Sequence, residues 1–471
     1  MSVLILLEEV HRMRKARLIA LIAVVAILAM SFAGVRAQGN TIVDIAAGNE
    51  NFSTLVALVQ AAGLVETLSS EGPFTVFAPT NDAFAALPAE VVEYLTDPDN
   101  VDILTQILTY HVVPGRLMAA DVLASESLTS VEGGEIEVSM HDMDAMVNSA
   151  TITATDIEAS NGVIHVISAV ILPEIELPAI DPLSLTGNIT SAGSSTVFPL
   201  SQEIADRFRN AGFPGNIEIA SVGTGAGFER FCGPQETATD VSNASRAIRS
   251  AEREDCRAQG REPLEFYVAV DALAVVVHPG LTFVDSLTLE QLAQIFSGEA
   301  ATWQDVDPSW PATPISGLFS AGTDSGTFDY FVEEIFDRDE SRILGAGPRL
   351  QLSENDNVLV EGVAGTEGSI GYFGYAYYPA NANRVRLVAI EGVPASAATA
   401  ESGAYPLARP LFIYTTADYM REKPQVAAYV NFYLTNVNSA MVLGGGPISY
   451  FPVSRDSLNL DRLVWLAVND R

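Results

Sequence analysis

Residues 322–328, Gly-Thr-Asp-Ser-Gly-Thr-Phe, run straight into Phe328, Phe331, Val332, Ile335 and Phe336, an apolar pattern at helical spacing. A loop of small residues that opens a helix leaves the first helical amides without intrahelical acceptors. Those amides lie at the positive end of the helix dipole, which suits an anion. Three further clusters share this logic. Ala-Gly-Ser-Ser-Thr-Val-Phe-Pro (192–199) follows a short apolar segment and leads into Val197, Leu200, Ile204 and Phe208 on one helical face. Ser-Val-Gly-Thr-Gly-Ala-Gly-Phe-Glu-Arg-Phe (221–231) follows a strand pattern at 216–220, and Val-Ser-Asn-Ala-Ser-Arg-Ala-Ile (241–248) adds hydroxyls and an arginine. One such loop means little, because helix caps favour the same residues. Four of them, among strands alternating with helices in what reads as an α/β region, are harder to dismiss as caps.

A stretch rich in proline and acidic residues, at 174–187, separates this region from a different one upstream and reads as a linker. The 471-residue chain is 48% hydrophobic and carries a formal charge of −34. That acidity excludes nucleic acid as a partner and repels anions at long range, so an anion site must work through local dipoles and single arginines. Residues 1–37 have the form of an export signal: a basic stretch with Arg12, Arg14, Lys15 and Arg17, an apolar run from Leu18 to Ala33, then Val35-Arg36-Ala37. The expected location is the periplasm, or secretion to the cell surface, by cleavage of that segment; an uncleaved anchor is the other reading. In an oxidising compartment Cys232 and Cys256 are expected to pair, the alternative being two buried free thiols.

Upstream, Phe52, Leu55, Val56, Leu58, Val59 and Leu64 suit an amphipathic helix, and strands are expected at Phe74–Ala78 and Val163–Ile167, the second entered through an Asn161-Gly162 turn. Thr-Val-Phe-Ala-Pro-Thr-Asn-Asp-Ala-Phe (75–84), Tyr-His-Val-Val-Pro-Gly (110–115) and Asn-Gly-Val-Ile-His-Val-Ile-Ser-Ala-Val-Ile-Leu-Pro (161–173) resemble, in order, the signature segments of the fasciclin domain. The resemblance implies a compact α+β module over 41–173, with a partner in the matrix or at the cell surface. Tyr110 and His111 match a pair linked to adhesion in that family; packing beneath a loop is the simpler role. His165, in mid-strand, reads as a satisfied core residue. His141, Asp142 and Asp144 could form a weak cation site, but a solvated hairpin tip fits them better, since no further ligand spacing is present.

The four small-residue clusters resemble, in order and spacing, the periplasmic phosphate-binding proteins of ABC uptake systems, as do Asp-Ala-Leu-Ala-Val-Val-Val-His-Pro-Gly (271–280) and Arg-Pro-Leu-Phe-Ile-Tyr-Thr-Thr (409–416). The resemblance implies a two-lobed α/β periplasmic-binding-protein fold of type II over 188–471. One lobe takes 188–275 and 405–471, the other 276–404. The implied partners are inorganic phosphate and a membrane ABC permease, with no cofactor. Position by position it assigns phosphate contacts to Ser195, Thr196, Thr224, Gly225, Ser245, Ser325, Gly326 and Thr327. Two positions depart from the family. An arginine four residues before the last loop's serine is here Ala321, and an aspartate after the third loop's Ala-Ser is here Arg246. Arg246 then becomes the expected charged ligand, unless it pairs with a nearby carboxylate. Selecting hydrogen phosphate over sulfate needs a carboxylate that accepts the ligand's proton. Asp271 is favoured for that role, with Asp324 the alternative, free to cap a helix instead.

Asp-Ser-Gly-Thr at 324–327 also matches half of an aspartic protease site, but there is no second copy and a helix follows. The expectation is therefore a binding protein, not an enzyme. The competing reading is an adhesion protein whose second half is a scaffold or binds another oxyanion.

Overall fold

The computed structural model describes residues 39–141, 144–323, 325–353, 355–441 and 450–470. Residues 1–37, read above as an export signal, Asp142, Asp324 and the side chain of His141 lie outside the described residues. The chain divides into two compact units between Ile175 and Glu176.

The first unit is built on seven strands: β1 (Phe74–Pro79), β2 (Val112–Pro114), β3 (Ser127–Thr129), β4 (Glu135–His141), β5 (Asp144–Val147), β6 (Ala150–Ala159) and β7 (Gly162–Ile167). Their order is β2-β1-β7-β6-β5-β4-β3. Only β1 and β7 run parallel, with Phe74 opposite Gly162. Helix α1 (Ser53–Ala61) buries Leu55, Leu58 and Val59, as its periodicity predicts, and α2 (Val101–Tyr110) leads into β2. Gly162 is not a turn residue. It opens β7, and a side-chain carbon there would stand 2.0 Å from the Phe74 carbonyl oxygen, so the parallel pairing itself requires glycine. Asn161 is buried and ties three segments together, accepting from the Ile42 amide and donating to the carbonyls of Leu68 and Ser70.

Tyr110 and His111 are both buried. The Tyr110 hydroxyl donates to the Glu135 carbonyl at 2.7 Å. The His111 ring lies 2.8 Å from the Ile107 carbonyl through Nδ1, and Nε2 accepts from the Ile171 amide at 3.2 Å. His165 is likewise buried, with Nε2 2.9 Å from the Leu117 carbonyl. All three side chains are engaged inside the domain.

In the second unit a long sheet carries β8 (Ile189–Gly193), β9 (Ile217–Ser221), β10 (Val241–Ala244), β11 (Pro263–Val277), β13 (Leu318–Ala321), β14 (Leu350–Ser353), β15 (Ile370–Gly374), β16 (Arg386–Leu387) and β18 (Ala408–Thr416); β12 (Ser286–Leu287) and β17 (Ala389–Ile390) pair separately. The path is β14-β13-β15-β11-β18-β10-β8-β9, with β16 against β11. β11 decides the architecture. Its residues 263–272 pair with β18, and 273–277 pair with β15. One strand thus belongs to two half-sheets, and each half-sheet has its own helices and core. Helices α3 (Phe198–Asn210), α4 (Thr224–Phe231) and α6 (Pro424–Ala440) serve the first lobe; α5 (Gly326–Phe336) serves the second. α3 and α6 meet through Phe208, which packs on Tyr429 and Phe432. α5 buries Phe328, Phe331, Val332, Ile335 and Phe336 in the second lobe's core, the stripe visible in the sequence.

Cys232 and Cys256 form a disulfide beside Phe228, Phe231 and Tyr414. Part of the proline-rich stretch is not free chain. The Pro178 carbonyl accepts from Asn431 of α6 at 3.1 Å, and Pro182–Ser184 form a single helical turn.

Candidate anion-binding site

Each small-residue loop follows a strand end: β8, β9 and β10 in the first lobe, β13 in the second. β8 ends at Gly193, where a side-chain carbon would stand 2.0 Å from the Asn243 carbonyl oxygen. That approach lets the Gly193 carbonyl accept from the amides of both Val222 and Gly223, at 2.9 Å each, which pins the second loop to the first. Gly223, at φ +85°, then starts α4 with no side-chain cap. The amides of Thr224, Gly225 and Ala226 meet no acceptor among the described residues. Beyond Gly225's chain neighbours and its own helix, no heavy atom of the described residues lies within 4 Å of where a side-chain carbon would stand. The third loop joins through Ser245, whose amide and hydroxyl both lie 3.2 Å from the Thr224 hydroxyl.

In the first loop, Ser194 takes over the capping, its hydroxyl accepting from the amides of Thr196 and Val197. Ser195 is left exposed, and Thr196 is buried with its carbonyl held by the Tyr450 hydroxyl at 2.6 Å. The fourth loop comes from the other lobe. Ser325 caps α5 by accepting from the Thr327 amide at 3.2 Å, and Ser325, Gly326 and Thr327 are all half-buried. A side-chain carbon on Gly326 would stand 3.7 Å from Thr196 Cα, so the first and fourth loops face each other closely.

Beneath them lies an ion pair on neighbouring crossing strands. Asp271 of β11 is in register with Arg409 of β18. Asp271 Oδ2 accepts from Arg409 Nε at 3.0 Å and from Nη2 at 2.9 Å. Nη2 also donates to the Gly326 carbonyl at 3.1 Å, and the guanidinium lies 4.0 Å over the Tyr330 ring. Burial pushes the Asp271 carboxyl up, and Arg409 opposes it. A single oxygen receiving two guanidinium N–H bonds is the contact of an ionised carboxylate.

The structure places the expected residues unequally. Ser195, Thr196, Thr224, Gly225, Ser245, Ser325, Gly326 and Thr327 lie on the four loops described, and Asp271 lies under the fourth. Arg246 takes the alternative arrangement. Both its terminal nitrogens are held by Glu252, at 2.8 and 2.7 Å, and Nη1 also reaches the Ala247 carbonyl. The physical reason is local: Glu252 already accepts from the Arg249 amide at the start of the next helix, which puts its carboxylate beside Arg246. Arg409 was not singled out from the sequence. The available signal was a lone arginine in an otherwise apolar strand, which requires a partner when buried.

Two family models match the chain: the fasciclin domain at residues 50–173, and the PBP superfamily domain at residues 181–437. The chain belongs to the PBP superfamily. Among its relatives, Protein SphX of Synechococcus elongatus is 40% identical over 53% of this chain and 73% of that protein. The phosphate-binding protein PstS of Staphylococcus saprophyticus is 33% identical over 53% of this chain and 76% of its own. The crystal structure of a protein from Planctomyces limnophilus, described as a possible phosphate binding protein, is 37% identical, covers 60% of this chain and 99% of its own, and superposes with a TM-score of 0.54. A fasciclin domain is thus joined in one chain to a PstS-like, two-lobed periplasmic-binding-protein domain.

Proposed function

We propose that this chain is an extracytoplasmic receptor for inorganic phosphate that serves an ABC permease, and that its fasciclin domain retains it at the cell surface or in the matrix. The observation that carries the reading is the meeting of four loops from two lobes. The reading is supported by the linked hydroxyls of Thr224 and Ser245, by Gly326 lying opposite Thr196, and by the bond from Arg409 of the buried Asp271–Arg409 pair to the Gly326 carbonyl. Amides and hydroxyls supply fixed dipoles where the chain's charge of −34 denies long-range attraction. Ser195, Thr196, Thr224, Gly225, Ser245, Ser325, Gly326 and Thr327 are the proposed phosphate contacts. The names of SphX and PstS relatives support phosphate as the ligand. The relatives' names describe binding, so binding and release is the chemistry we assign.

Calorimetry on the full chain tests this directly. One phosphate per chain is the expected result, and absence of measurable phosphate binding would refute it in favour of a scaffold. For the fasciclin role, deleting residues 41–172 should release the protein from cells; unchanged cell association would remove that role.

A further inference from the structure

We infer that Tyr450 is a positioning residue for the anion site: its hydroxyl sets the first loop at Thr196, and the short segment it opens couples that loop to the strand shared by both half-sheets and to the end of β15. This rests on the phosphate reading and goes beyond the residues proposed to touch the ligand. The need for Tyr450 starts in the sequence. Position 199 is proline, which has no N–H to give back to the Ser195 carbonyl. In the first turn of α3 the Phe198 amide donates to the Ser194 carbonyl and the Ser201 amide to the Val197 carbonyl, which passes over Thr196. Thr196 is 4% exposed, and a buried carbonyl requires a donor. Tyr450, 254 residues along the chain, supplies one at 2.6 Å. Burial pushes the pKa of that hydroxyl up, so it stays protonated and remains a donor near neutral pH.

What Tyr450 is attached to makes this bond more than a local cap. Its neighbour Phe451 forms a two-bond antiparallel bridge with Val270: the Val270 amide donates to the Phe451 carbonyl at 3.0 Å, and the Phe451 amide to the Val270 carbonyl at 2.8 Å. Val270 comes just before Asp271, close to the point where β11 passes from β18 to β15. The Phe451 ring is buried against Tyr375, with ring centroids 4.6 Å apart. Tyr375 directly follows β15, a strand of the second half-sheet. Ser454 is fixed in turn by its amide, which donates to Glu401 at 2.9 Å. One short segment thus holds the first loop, the shared strand and the end of β15. Gly326 of the fourth loop faces Thr196, so a shift of this segment alters the gap in which the anion would sit. Without the hydroxyl, water must meet the Thr196 carbonyl, which requires the first loop to move outward. Affinity then falls by the fraction of chains that leave the binding arrangement.

The test is calorimetry with inorganic phosphate on the full chain, with urea titration of each variant to establish that it folds. Tyr450→Phe removes one oxygen and should weaken phosphate about fivefold to tenfold, the factor of one hydrogen bond lost at a buried carbonyl. With Ser195→Ala and Thr196→Ala already in place, the same change should cost less than about twofold, because Tyr450 acts through the loop that carries those residues. With Thr224→Ala in place, it should keep its full cost. A merely structural tyrosine would lower stability yet leave the affinity of the folded protein unchanged, and that result overturns the inference. An equal cost in both backgrounds overturns it as well. Hydrogen exchange on the unmodified chain needs no variant to fold: phosphate should slow exchange across residues 194–197 and, together with them, across 268–272 and 450–453. Slowing confined to 194–197 overturns the coupling. Failure of phosphate to bind the unmodified protein instead overturns the receptor reading on which this one rests.

Discussion

Acidification should loosen the fasciclin domain through one residue, His111. Its ring is 2% exposed, and its two hydrogen bonds fix the neutral form: Nδ1–H donates to the Ile107 carbonyl, leaving Nε2 to accept from the Ile171 amide. Protonation would place a second N–H against that amide, so charge and a lost bond arrive together. Burial lowers the pKa from 6.5 to about 4, against the Ile107 carbonyl, which favours the charged ring. The folded value lies below the unfolded one, so the contribution to stability is complete above pH 6.5 and declines as pH falls towards 4. At about 1.4 kcal/mol per unit, the domain should lose about 2 kcal/mol by pH 5 and about 3 kcal/mol below pH 4 through this group alone. The full chain should therefore show faster amide exchange across residues 50–173 at pH 5 than at pH 7, after correction for intrinsic rates. In a His111→Gln protein the part of this pH dependence due to residue 111 should vanish. A directly observed His111 titration near the ordinary 6.5, or an undiminished pH slope in His111→Gln, would refute the argument.

Gly225→Ala should leave stability within about 0.5 kcal/mol, because its side-chain carbon meets open space, yet weaken phosphate severalfold by placing a methyl where the α4 amides face the ligand; equal affinity would remove that helix start from the site. Gly193→Ala, with a carbon 2.0 Å from the Asn243 carbonyl oxygen, should instead destabilise the second unit by more than about 2 kcal/mol in urea titrations. Replacing Cys232 and Cys256 by serine opens a loop with a sequence separation of 24, and denaturation should register a loss of about 3.5 kcal/mol. Arg246→Ala should change phosphate affinity by less than about threefold, because that arginine is held by Glu252; a larger loss would return it to the site.

The loops and helices were legible because their information is local. Gly-Ser-Thr runs before an apolar stripe mark helix starts; α5 buried all five predicted residues, and α1 buried Leu55, Leu58 and Val59, while Leu64 falls beyond its end. The fold family was legible because its motifs lie in order along the chain. The ion pair beneath the loops was harder to see. Asp271 and Arg409 are 138 residues apart and meet only through the register of β11 and β18, which no local pattern encodes. Arg246 was open for the opposite reason: its partner Glu252 is only six positions on, and a helix start turns that separation into the bidentate contact given above as the alternative. Gly162 was read as a turn because it follows asparagine, when the constraint comes from β1, nearly ninety residues upstream along the chain.

The partner exchange within β11 falls between Ala272 and Leu273, one residue beyond Asp271. A door swings widest at its handle and least at its hinge pin. Were the two lobes to swing about that point, Asp271 and Arg409 would stand next to the pin, while Thr196 and Gly326 would ride on the panels. An incoming ion would therefore find the same fixed post at every opening, and the distance from post to panels would report how far the door has closed.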